Sequence, residues 1–600
     1  MSTSTPQSSQ RPSNPERRTE QLQRGPVMLE LESPRKRIRF TTLIFLIVMS
    51  IYMTRLVELQ IIRGPELAAT AQNSRLQTLA LPALRGDFTD LNGIPIATTV
   101  MARNVTVDPT LITDPEGTAA ALSPILGIPV ADIIASITVD SRFSYVAKRI
   151  TPETWKAVAE LEIPGVFSEP TTNRVYPNGS LAATVVGYVG AEGTGLGGLE
   201  YGLNDQLMGT DGKLTVERVN GREIPASERQ SIDPINGLSV RLTIDSDLQA
   251  MLEKTLGEQV VATGAEGGVS VIMDPSTGNI LAMATYPTFD PNDAFATDDR
   301  AKRNTTVTDV FEPGSTSKVM TMASVIEEGG ANPATQIKVP NRLKRGGTSF
   351  KDYNEHGELH LTLAGVLAKS SNIGTILASE TIGQEKLYEY LKKFGIGQST
   401  GMNFPGESTG SLPNINDENQ WSDTTFPTLA FGQGLSVNAV QATSVFATIA
   451  NDGVRMVPRL IAGYSNADGV YEPSTIDSGI RVVSSDTAKT VREMLEGVVS
   501  EDGTAKNMQI PGYRVGGKTG TANRYDQATG RYSGYTSSFI GMAPAEKPAL
   551  VMSVSIHNPK TSTYGSVVAG PVFKKVMTYA LAHNKVPPST TKPPKLPVEW

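Results

Sequence analysis

The sequence predicts an α+β protein of several domains, in which one membrane-anchoring helix precedes a β-rich domain and a larger mixed domain. Three observations support this fold class. A charge-free apolar run starts at Phe40, directly after a basic cluster. Short strand-like runs separated by turns fill residues 63–235. Apolar strand pairs and longer helical segments follow over residues 236–585, and they predict a central antiparallel sheet flanked by helices, together with a helical lobe.

Composition limits the chemistry that the chain can perform. Of its 600 residues, 39% are hydrophobic and 19% are charged, which is enough apolar material for a sizeable core. A net charge of −7 argues against nucleic acid as a partner. The absence of cysteine excludes disulfides, thiolate metal sites and cysteine nucleophiles. His356 and His360 are spaced by four residues but lack the surrounding H-E-x-x-H pattern, so neither a metal nor a cofactor is expected.

The N-terminal region predicts a membrane anchor. Residues 1–37 are polar and are expected to be disordered, and residues 38–62 are expected to span the membrane. A cleaved signal peptide is the alternative, because Ala69-Thr70-Ala71 resembles a cleavage site, but it lies well past the apolar run. Basic residues ahead of the span place the N-terminus in the cytoplasm and the rest of the chain outside it, as a single-pass protein of the cell membrane.

The pattern of residues 63–235 predicts a β-rich domain. Asn92-Gly93 lies between apolar runs and predicts a hairpin. Gly193, Gly195 and Gly198 fit the dinucleotide-binding pattern G-x-G-x-x-G, but no βαβ repeat surrounds them. We therefore interpret these glycines as turn residues.

The region from residue 236 carries the chemistry. Its tail, residues 586–600, holds five prolines and is expected to be loose. The other elements expected there are a strand over 237–245, a strand pair over 267–284, a helix over 318–328, helices on both sides of Ser370 within 361–380, a helix ending near 449, strands over 515–522, 537–543 and 549–556, and a closing helix over 573–582.

Ser315 and Lys318 are the candidate nucleophile and base. Pro313-Gly314 breaks the preceding segment, so Ser315 is expected at the mouth of an apolar helix with Lys318 on the same face. A lysine can accept the serine proton only when its amine is neutral, which requires burial to lower its pKa. The residues therefore suggest serine acyl transfer by a serine–lysine variant of the triad.

Two further motifs follow in order. Ser370 could relay the proton to a leaving amine, and Asn372 could hold a substrate amide and keep Lys318 in place. Lys518 and Thr519 supply a positive charge and a hydroxyl, which suit a substrate carboxylate. The strand from Lys518 through Gly520 to residue 522 could pair with an extended peptide.

The three motifs, Ser315-Thr-Ser-Lys318, Ser370-Ser-Asn372 and Lys518-Thr-Gly520, resemble those of penicillin-binding proteins and related β-lactamases. The stretch from Arg85 to Gly93 is similar to the R-G-x-I-x-D-R-N-G pattern of class B members, with Phe88 and Leu91 as departures. Ser317 is a further departure, because many relatives carry phenylalanine there. The resemblance implies a pedestal (dimerisation-type) domain over 63–235 and a transpeptidase domain over 236–585.

The resemblance also implies an activity. The expected substrate is the D-alanyl-D-alanine end of a peptidoglycan stem peptide, carried on a lipid-linked precursor or nascent glycan. The expected enzyme forms an acyl-enzyme on Ser315, cross-links a neighbouring stem and is acylated by β-lactams. Family members use the backbone N–H groups of the nucleophile and of the residue after K-T-G, here Ser315 and Thr521, as the oxyanion hole. The septal, FtsI-type layout implies an FtsW-type glycan polymerase and other division proteins of the membrane as partners.

The sequence alone is also compatible with other functions. A β-lactamase or D,D-carboxypeptidase would share the motifs but transfer the acyl group to water. A dedicated β-lactamase needs neither anchor nor pedestal. A β-lactam sensor or non-catalytic scaffold is a third class, although residues 1–37 are too short and polar for an effector region. An elongation-type transpeptidase is the alternative to the septal one.

Overall fold

The computed structural model describes residues 34–73, 75–219, 222–223, 230–466, 469–526 and 531–600. The chain forms two compact units, Met1–Gln77 with Val216–Glu228, and Thr78–Thr215 with Arg229–Trp600. All of the candidate site residues lie in the second unit. Most of the predicted disordered segment, residues 1–33, lies outside the described residues.

The described part of the first unit is dominated by one long apolar helix. Helix α1 (Pro34–Val57) continues through a π-helical turn to Ile62, and α2 (Gly64–Asn73) follows. None of the α1 residues is buried. Its 24 residues correspond to about 36 Å at 1.5 Å per residue, which is enough to cross a hydrocarbon core of about 30 Å. Residues 34–37, which were expected to be disordered, belong to this helix, and proline at residue 34 suits the first helical position.

A mixed α/β region precedes the region of the three motifs. Its elements are β1 (Leu76–Leu81), β2 (Phe88–Thr89), β3 (Pro95–Val107), α3 (Pro115–Leu126), α4 (Val130–Ile137), β4 (Ser144–Ile150), α5 (Pro152–Ala159), β5 (Val166–Val175), α6 (Ala183–Val186), α7 (Gly198–Gly202), α8 (Asn204–Leu207), β6 (Gly212–Val219), β7 (Arg222–Glu223), β8 (Gln230–Ile232) and β9 (Ser239–Leu242).

The predicted hairpin at Asn92-Gly93 is confirmed. Strands β2 and β3 pair antiparallel around this turn, and Gly93 has a φ of 88°, which favours glycine. The carboxylate of Asp90 accepts hydrogen bonds from the backbone N–H groups of Asn92 and Ile94, both at 2.8 Å. Strand β2 also pairs in parallel with β9, and β9 pairs antiparallel with β17 (Ile461–Ser465). The predicted domain boundary at residues 235/236 therefore lies just before β9, a strand that pairs with strands on both sides of that boundary.

A buried ion cluster explains part of the glycine pattern. Glu200 is fully buried and accepts hydrogen bonds from Arg85 Nε at 2.6 Å and Arg174 Nε at 2.8 Å. A Cβ on Gly195 would lie 1.9 Å from the carbonyl oxygen of Glu200. The chain turns over residues 191–193, as predicted, and α7 starts at Gly198. The glycines in this stretch allow the backbone to pack closely beside the buried Glu200 carboxylate. The stretch does not follow a strand, and a dinucleotide-binding loop requires one.

The region of the motifs is built on a five-stranded antiparallel sheet. Its elements are α9 (Ser246–Thr263), β10 (Gly267–Met273), β11 (Ile280–Tyr286), α10 (Thr305–Thr308), α11 (Lys318–Glu327), β12 (Gln336–Val339), β13 (Leu343–Arg345), β14 (Thr348–Phe350), β15 (Leu359–Thr362), α12 (Leu363–Lys369), α13 (Asn372–Ser379), α14 (Gly383–Lys393), α15 (Thr425–Ala430), α16 (Ala439–Ala450), β16 (Val454–Arg455), β17 (Ile461–Ser465), β18 (Tyr471–Pro473), β19 (Ile480–Arg481), α17 (Ser485–Val499), β20 (Gly516–Asp526), β21 (Arg531–Ala543), β22 (Leu550–His557), α18 (Gly565–Val568) and α19 (Gly570–His583).

The strand order of this sheet is β11-β10-β22-β21-β20, which leaves β20 at an edge. Helices α9 and α19 pack together and against the sheet, and α16 packs against β10 and β22. Strand β10 is buried along its full length, as expected for a central strand covered by helices. The predicted strand pair over 267–284 and closing helix over 573–582 are confirmed, with small shifts of their ends.

The prediction of a loose tail is wrong for residues 586–600. The backbone N–H of Thr362 donates to Val598 O at 3.0 Å, and the N–H of Trp600 donates to His360 O at 3.1 Å. The tail therefore extends the β12–β15 sheet by pairing with β15. Composition did not indicate this, because the docking uses backbone groups of an edge strand that exists only in the folded protein.

Candidate active site

Ser315 lies at the mouth of a buried helix, as the motif predicts. Residues Gly314–Ser317 form a 3-10 turn, and α11 continues from Lys318. Gly314 has a φ of 53°, and its carbonyl oxygen lies 2.1 Å from where a Cβ on Gly432 would be, so both positions require glycine. Ser315 is half-buried. Its hydroxyl makes no hydrogen bond to another described residue, and it is therefore free to meet a substrate.

The amine of Lys318 is fully buried and points at the second motif. Its Nζ lies 2.6 Å from Ser370 O, 2.8 Å from Asn372 Oδ1 and 3.3 Å from Ser370 Oγ. Burial lowers the pKa of Lys318 to about 7, with the charge of Asp352 acting in the opposite direction. A substantial fraction is thus neutral near pH 7. The two short contacts are to pure acceptors, which use both N–H bonds of a neutral amine and leave its lone pair to accept a proton.

Ser370 occupies a strained link between two helices. It follows α12 and has a φ of 62°, which a non-glycine residue rarely adopts. Its hydroxyl oxygen lies 2.9 Å from Nζ of Lys518, on the other side of the site. The predicted position of Ser370 on a link between helices is confirmed.

Lys518 is as buried as Lys318. Burial and the nearby charge of Lys318 lower the pKa of Lys518 well below its usual value. Its Nζ also contacts Thr519 O at 3.1 Å and Thr519 Oγ1 at 3.4 Å. The predicted strand is confirmed as β20, so this lysine and threonine stand at a sheet edge.

Gly520 lets the edge strand approach the serine turn. A Cβ there would lie 2.4 Å from Ser538 Oγ, 3.0 Å from Thr316 Cγ2 and 3.1 Å from Pro313 O. Any larger residue would push β20 away from the serine turn. The next residue, Thr521, is held by a 3.0 Å hydrogen bond from its hydroxyl to Thr563 O.

Asp352 is a buried residue that sequence reasoning missed. Its carboxylate accepts hydrogen bonds from Ser371 Oγ at 2.7 Å and from the backbone N–H of Ile373 at 2.9 Å, and it lies 3.0 Å from His356 Nε2. These contacts hold the start of α13, and with it the Asn372 side chain. No local pattern marks this aspartate, because its partners are 19 and 21 residues further along the chain.

Thr504 was also missed. Its hydroxyl lies 3.2 Å from the hydroxyl of Thr519, in the loop after α17. Only the fold brings this loop beside β20, so no sequence pattern marks Thr504.

Among the residues that the structure describes, one group of side chains outside the cleft could ligate a metal. Ligand atoms of Asp245, Asp247 and His583 lie within 4.8 Å of one another. Asp245 caps α9 through Leu248 N at 2.9 Å and contacts His583 Nε2 at 2.9 Å, so local structure accounts for this group. His356 and His360 lie in a loop and a strand and not on one helix.

The fold thus brings Lys318, Ser370, Asn372, Lys518 and Thr519 into one hydrogen-bonded network. The Gly520–Thr521 backbone lies against the turn that carries Ser315. All eight predicted site residues therefore line one site. The arrangement combines a half-buried hydroxyl, a buried amine able to be neutral, and a second buried amine beside a sheet edge.

Comparison with known proteins agrees with this geometry. The family model of the penicillin-binding protein transpeptidase domain matches residues 268–578, and that of the penicillin-binding protein dimerisation domain matches residues 80–242. The chain is 35% identical to penicillin-binding protein PbpB of Mycolicibacterium smegmatis, over 94% of this chain and 92% of that protein. It is 31% identical to peptidoglycan D,D-transpeptidase FtsI of Escherichia coli, over 90% of this chain and 91% of that protein.

Solved structures show the same fold. Penicillin-binding protein 3 of Mycobacterium tuberculosis in complex with aztreonam superposes with a TM-score of 0.69 at 34% identity, covering 87% of this chain and all of that one. A peptidoglycan synthetase of Bifidobacterium adolescentis superposes with a TM-score of 0.71 at 31% identity, covering 88% of this chain and all of that one. With both domain models matched in order and relatives aligned over nine-tenths of its length, the chain belongs to the class B penicillin-binding proteins.

Proposed function

We propose that this protein is a membrane-anchored, serine-type peptidoglycan D,D-transpeptidase that cross-links stem peptides during septum synthesis. The observation that carries the proposal is the fully buried Lys318 amine, which bonds to Ser370 and Asn372 and follows Ser315 by one tight turn. Relatives with the same two domains are named as peptidoglycan D,D-transpeptidases, which supports the substrate class.

The first step forms the acyl-enzyme. Ser315 Oγ attacks the carbonyl carbon of the penultimate D-alanine, and the neutral Lys318 amine takes the hydroxyl proton. The backbone N–H groups of Ser315 and Thr521 stabilise the developing oxyanion. Asn372 keeps the amine oriented through the 2.8 Å contact with its Oδ1.

Departure of D-alanine completes this step. The C–N bond breaks, and the leaving nitrogen receives a proton through Ser370, whose hydroxyl lies within 3.3 Å of Lys318 Nζ. Lys518 and Thr519 bind the terminal carboxylate of the substrate, and the open edge of β20, including Gly520, pairs with the peptide backbone. The side-chain amine of a neighbouring stem then attacks the acyl-enzyme, forms the cross-link and frees Ser315.

The same site accounts for acylation by β-lactams, because their strained amide presents a carbonyl to Ser315 and their carboxylate suits Lys518. A related penicillin-binding protein 3 has been solved with ampicillin and with aztreonam. Here acylation opens the lactam ring, so the leaving nitrogen stays attached and the adduct persists.

We further propose that the enzyme is anchored in the cell membrane and works with membrane partners. Residues 63–235 act as the pedestal and residues 236–585 as the transpeptidase domain. The helix Pro34–Ile62 is long and apolar enough to cross a membrane, and the basic residues at its start favour a cytoplasmic N-terminus with the catalytic domain outside. An FtsW-type glycan polymerase and other membrane proteins of cell division are the proposed partners.

The activity is tested with the full-length protein in detergent micelles. A stem pentapeptide ending in D-Ala-D-Ala is supplied with an amine acceptor, and released D-alanine and new amide product are measured by mass spectrometry. We expect D-alanine release with transfer to the amine, and neither with Ser315→Ala. Release with water as the sole acceptor would instead identify a carboxypeptidase.

A further inference from the structure

The tail segment, residues 586–600, makes its first contacts beside the third motif. The hydroxyl of Tyr513 donates to Val586 O at 2.7 Å, and the backbone N–H of Ser589 donates to Gly512 O at 2.9 Å. The N–H of Arg514 donates to Ser589 Oγ at 2.8 Å, and Arg514 Nη1 donates to Thr591 Oγ1 at 2.7 Å. Arg514 precedes β20 by two residues and Lys518 by four.

The far end of the tail segment is fixed beside the second motif. Thr362 binds it twice, through its N–H to Val598 O at 3.0 Å and through its hydroxyl to Pro597 O at 2.5 Å. The indole of Trp600 stacks on His360 with ring centroids 4.7 Å apart. Thr362 is the N-cap of α12, and that seven-residue helix ends directly before Ser370.

The middle of the tail segment bridges these two anchors. A cavity of about 1230 Å³ is lined by residues 592–599, by α12 and by α17. Three prolines, at 593, 594 and 597, stiffen this span, because proline-rich chains act as semi-rigid spacers. A semi-rigid stretch of chain therefore connects the two anchors.

We propose that the tail segment is a positioning element of the active site, which fixes Ser370 relative to Lys518 by joining the start of α12 to the segment that leads into β20. The two side chains meet at 2.9 Å, a distance that a small shift of either element would break. This inference rests on the proposed function, since it concerns the geometry of acylation. Helix α17 packs against both α12 and β20, so the tail segment adds a second link between these two elements.

Gly365 offers a way to release the tail without removing it. A Cβ at this position would lie 1.9 Å from the carbonyl oxygen of Val598. Gly365→Ala should therefore displace the far anchor, while alanine is a better helix former than glycine within α12. If the tail segment only stabilises the fold, Gly365→Ala should change the acylation rate little. If the tail segment positions the active site, this variant should be acylated more slowly.

The experiment compares four full-length proteins in detergent: the unaltered chain, Gly365→Ala, a variant ending at Ser589, and the combination of both changes. The variant ending at Ser589 keeps the contacts of the Tyr513 hydroxyl and the Arg514 N–H, and it loses the Arg514–Thr591 contact and the far anchor. The rate constant for acylation by a fluorescent penicillin is measured beside the thermal unfolding midpoint. Lys595→Ala is the matched control, because this exposed side chain lies in the span between the anchors.

We expect each of the two changes to slow acylation about tenfold, since misplacement of reacting groups by about 1 Å can cost up to about a hundredfold. The combination should be no slower than either change alone, and Lys595→Ala should match the unaltered chain. A synthetic peptide of residues 588–600 should restore the rate of the truncated variant but not that of the combined variant. Unchanged rates, or losses that only follow a lowered unfolding midpoint, would overturn the inference. Failure of the unaltered chain to be acylated would instead contradict the proposed function.

Discussion

Nζ of Lys518 lies 2.9 Å from the hydroxyl oxygen of Ser370, and this contact joins the edge strand of the sheet to the link between two helices. When Lys518 donates to this oxygen, the Ser370 proton is directed elsewhere. The other amine within reach is Lys318, at 3.3 Å. The hydroxyl is therefore placed to pass a proton between Lys318 and a leaving group.

The rate of acylation should rise with pH through the pKa of Lys318. Burial lowers that pKa to about 7, and only the neutral amine can accept the Ser315 proton. The rate constant for acylation by penicillin should therefore rise about tenfold per pH unit below 7 and level off above it. The measurement is a stopped-flow profile between pH 5 and 9 at constant ionic strength. A flat profile would contradict the assignment of Lys318 as the base.

Removal of the Ser370 hydroxyl should slow acylation while leaving the fold intact. A general acid or base typically raises the reaction rate about a hundredfold or more. Ser370→Ala should therefore lower the acylation rate constant about a hundredfold. Circular dichroism and the unfolding midpoint should be close to those of the unaltered protein. An acylation rate within twofold of the unaltered value would show that no proton passes through this hydroxyl.

Ser317→Ala should stabilise the protein without affecting its chemistry. The Ser317 hydroxyl is buried and makes no hydrogen bond. Burial of such an unpaired polar group typically lowers the free energy of unfolding by about 1 kcal/mol or more. The alanine variant should gain about 1 kcal/mol in the free energy of unfolding, measured by urea denaturation, and should be acylated at the normal rate. It is also the matched control for Ser370→Ala. A loss of stability would mean that the hydroxyl has a role that its surroundings do not show.

Asp352→Asn should shift the pH profile to lower pH. The charge of Asp352 raises the pKa of Lys318, against the effect of burial, so its removal should lower that pKa further. The variant should also be acylated more slowly, because the contacts that hold Ser371 and Ile373 are weakened. Purely structural damage would slow acylation without moving the rising limb of the profile.

The three motifs could be predicted because the chemistry and the local structure share a sequence pattern. Pro313-Gly314 and the apolar run after Lys318 predicted a serine at a helix mouth, and the structure has it there. The spacing alone could not reveal that Lys518 meets Ser370, since 148 residues separate them. That contact depends on how the edge strand packs beside the helices.

Residues whose role comes from tertiary packing escaped prediction. Asp352 lies in a polar loop and acts through Ser371 and Ile373, which only the fold brings to it. The tail segment looked loose because prolines and lysines rarely form a core. It is nevertheless anchored, since β15 offers unpaired backbone groups and His360 a stacking surface for Trp600.

Ser315 is the proposed acylated nucleophile of this penicillin-binding transpeptidase. The most direct measurement is intact-mass spectrometry of the full-length protein after brief exposure to penicillin, followed by peptide mapping. We expect a long-lived increase by the mass of one penicillin, mapped to Ser315 and absent in Ser315→Ala. No adduct, or an adduct that persists in Ser315→Ala, would contradict it, and rapid return to the unmodified mass would indicate a β-lactamase.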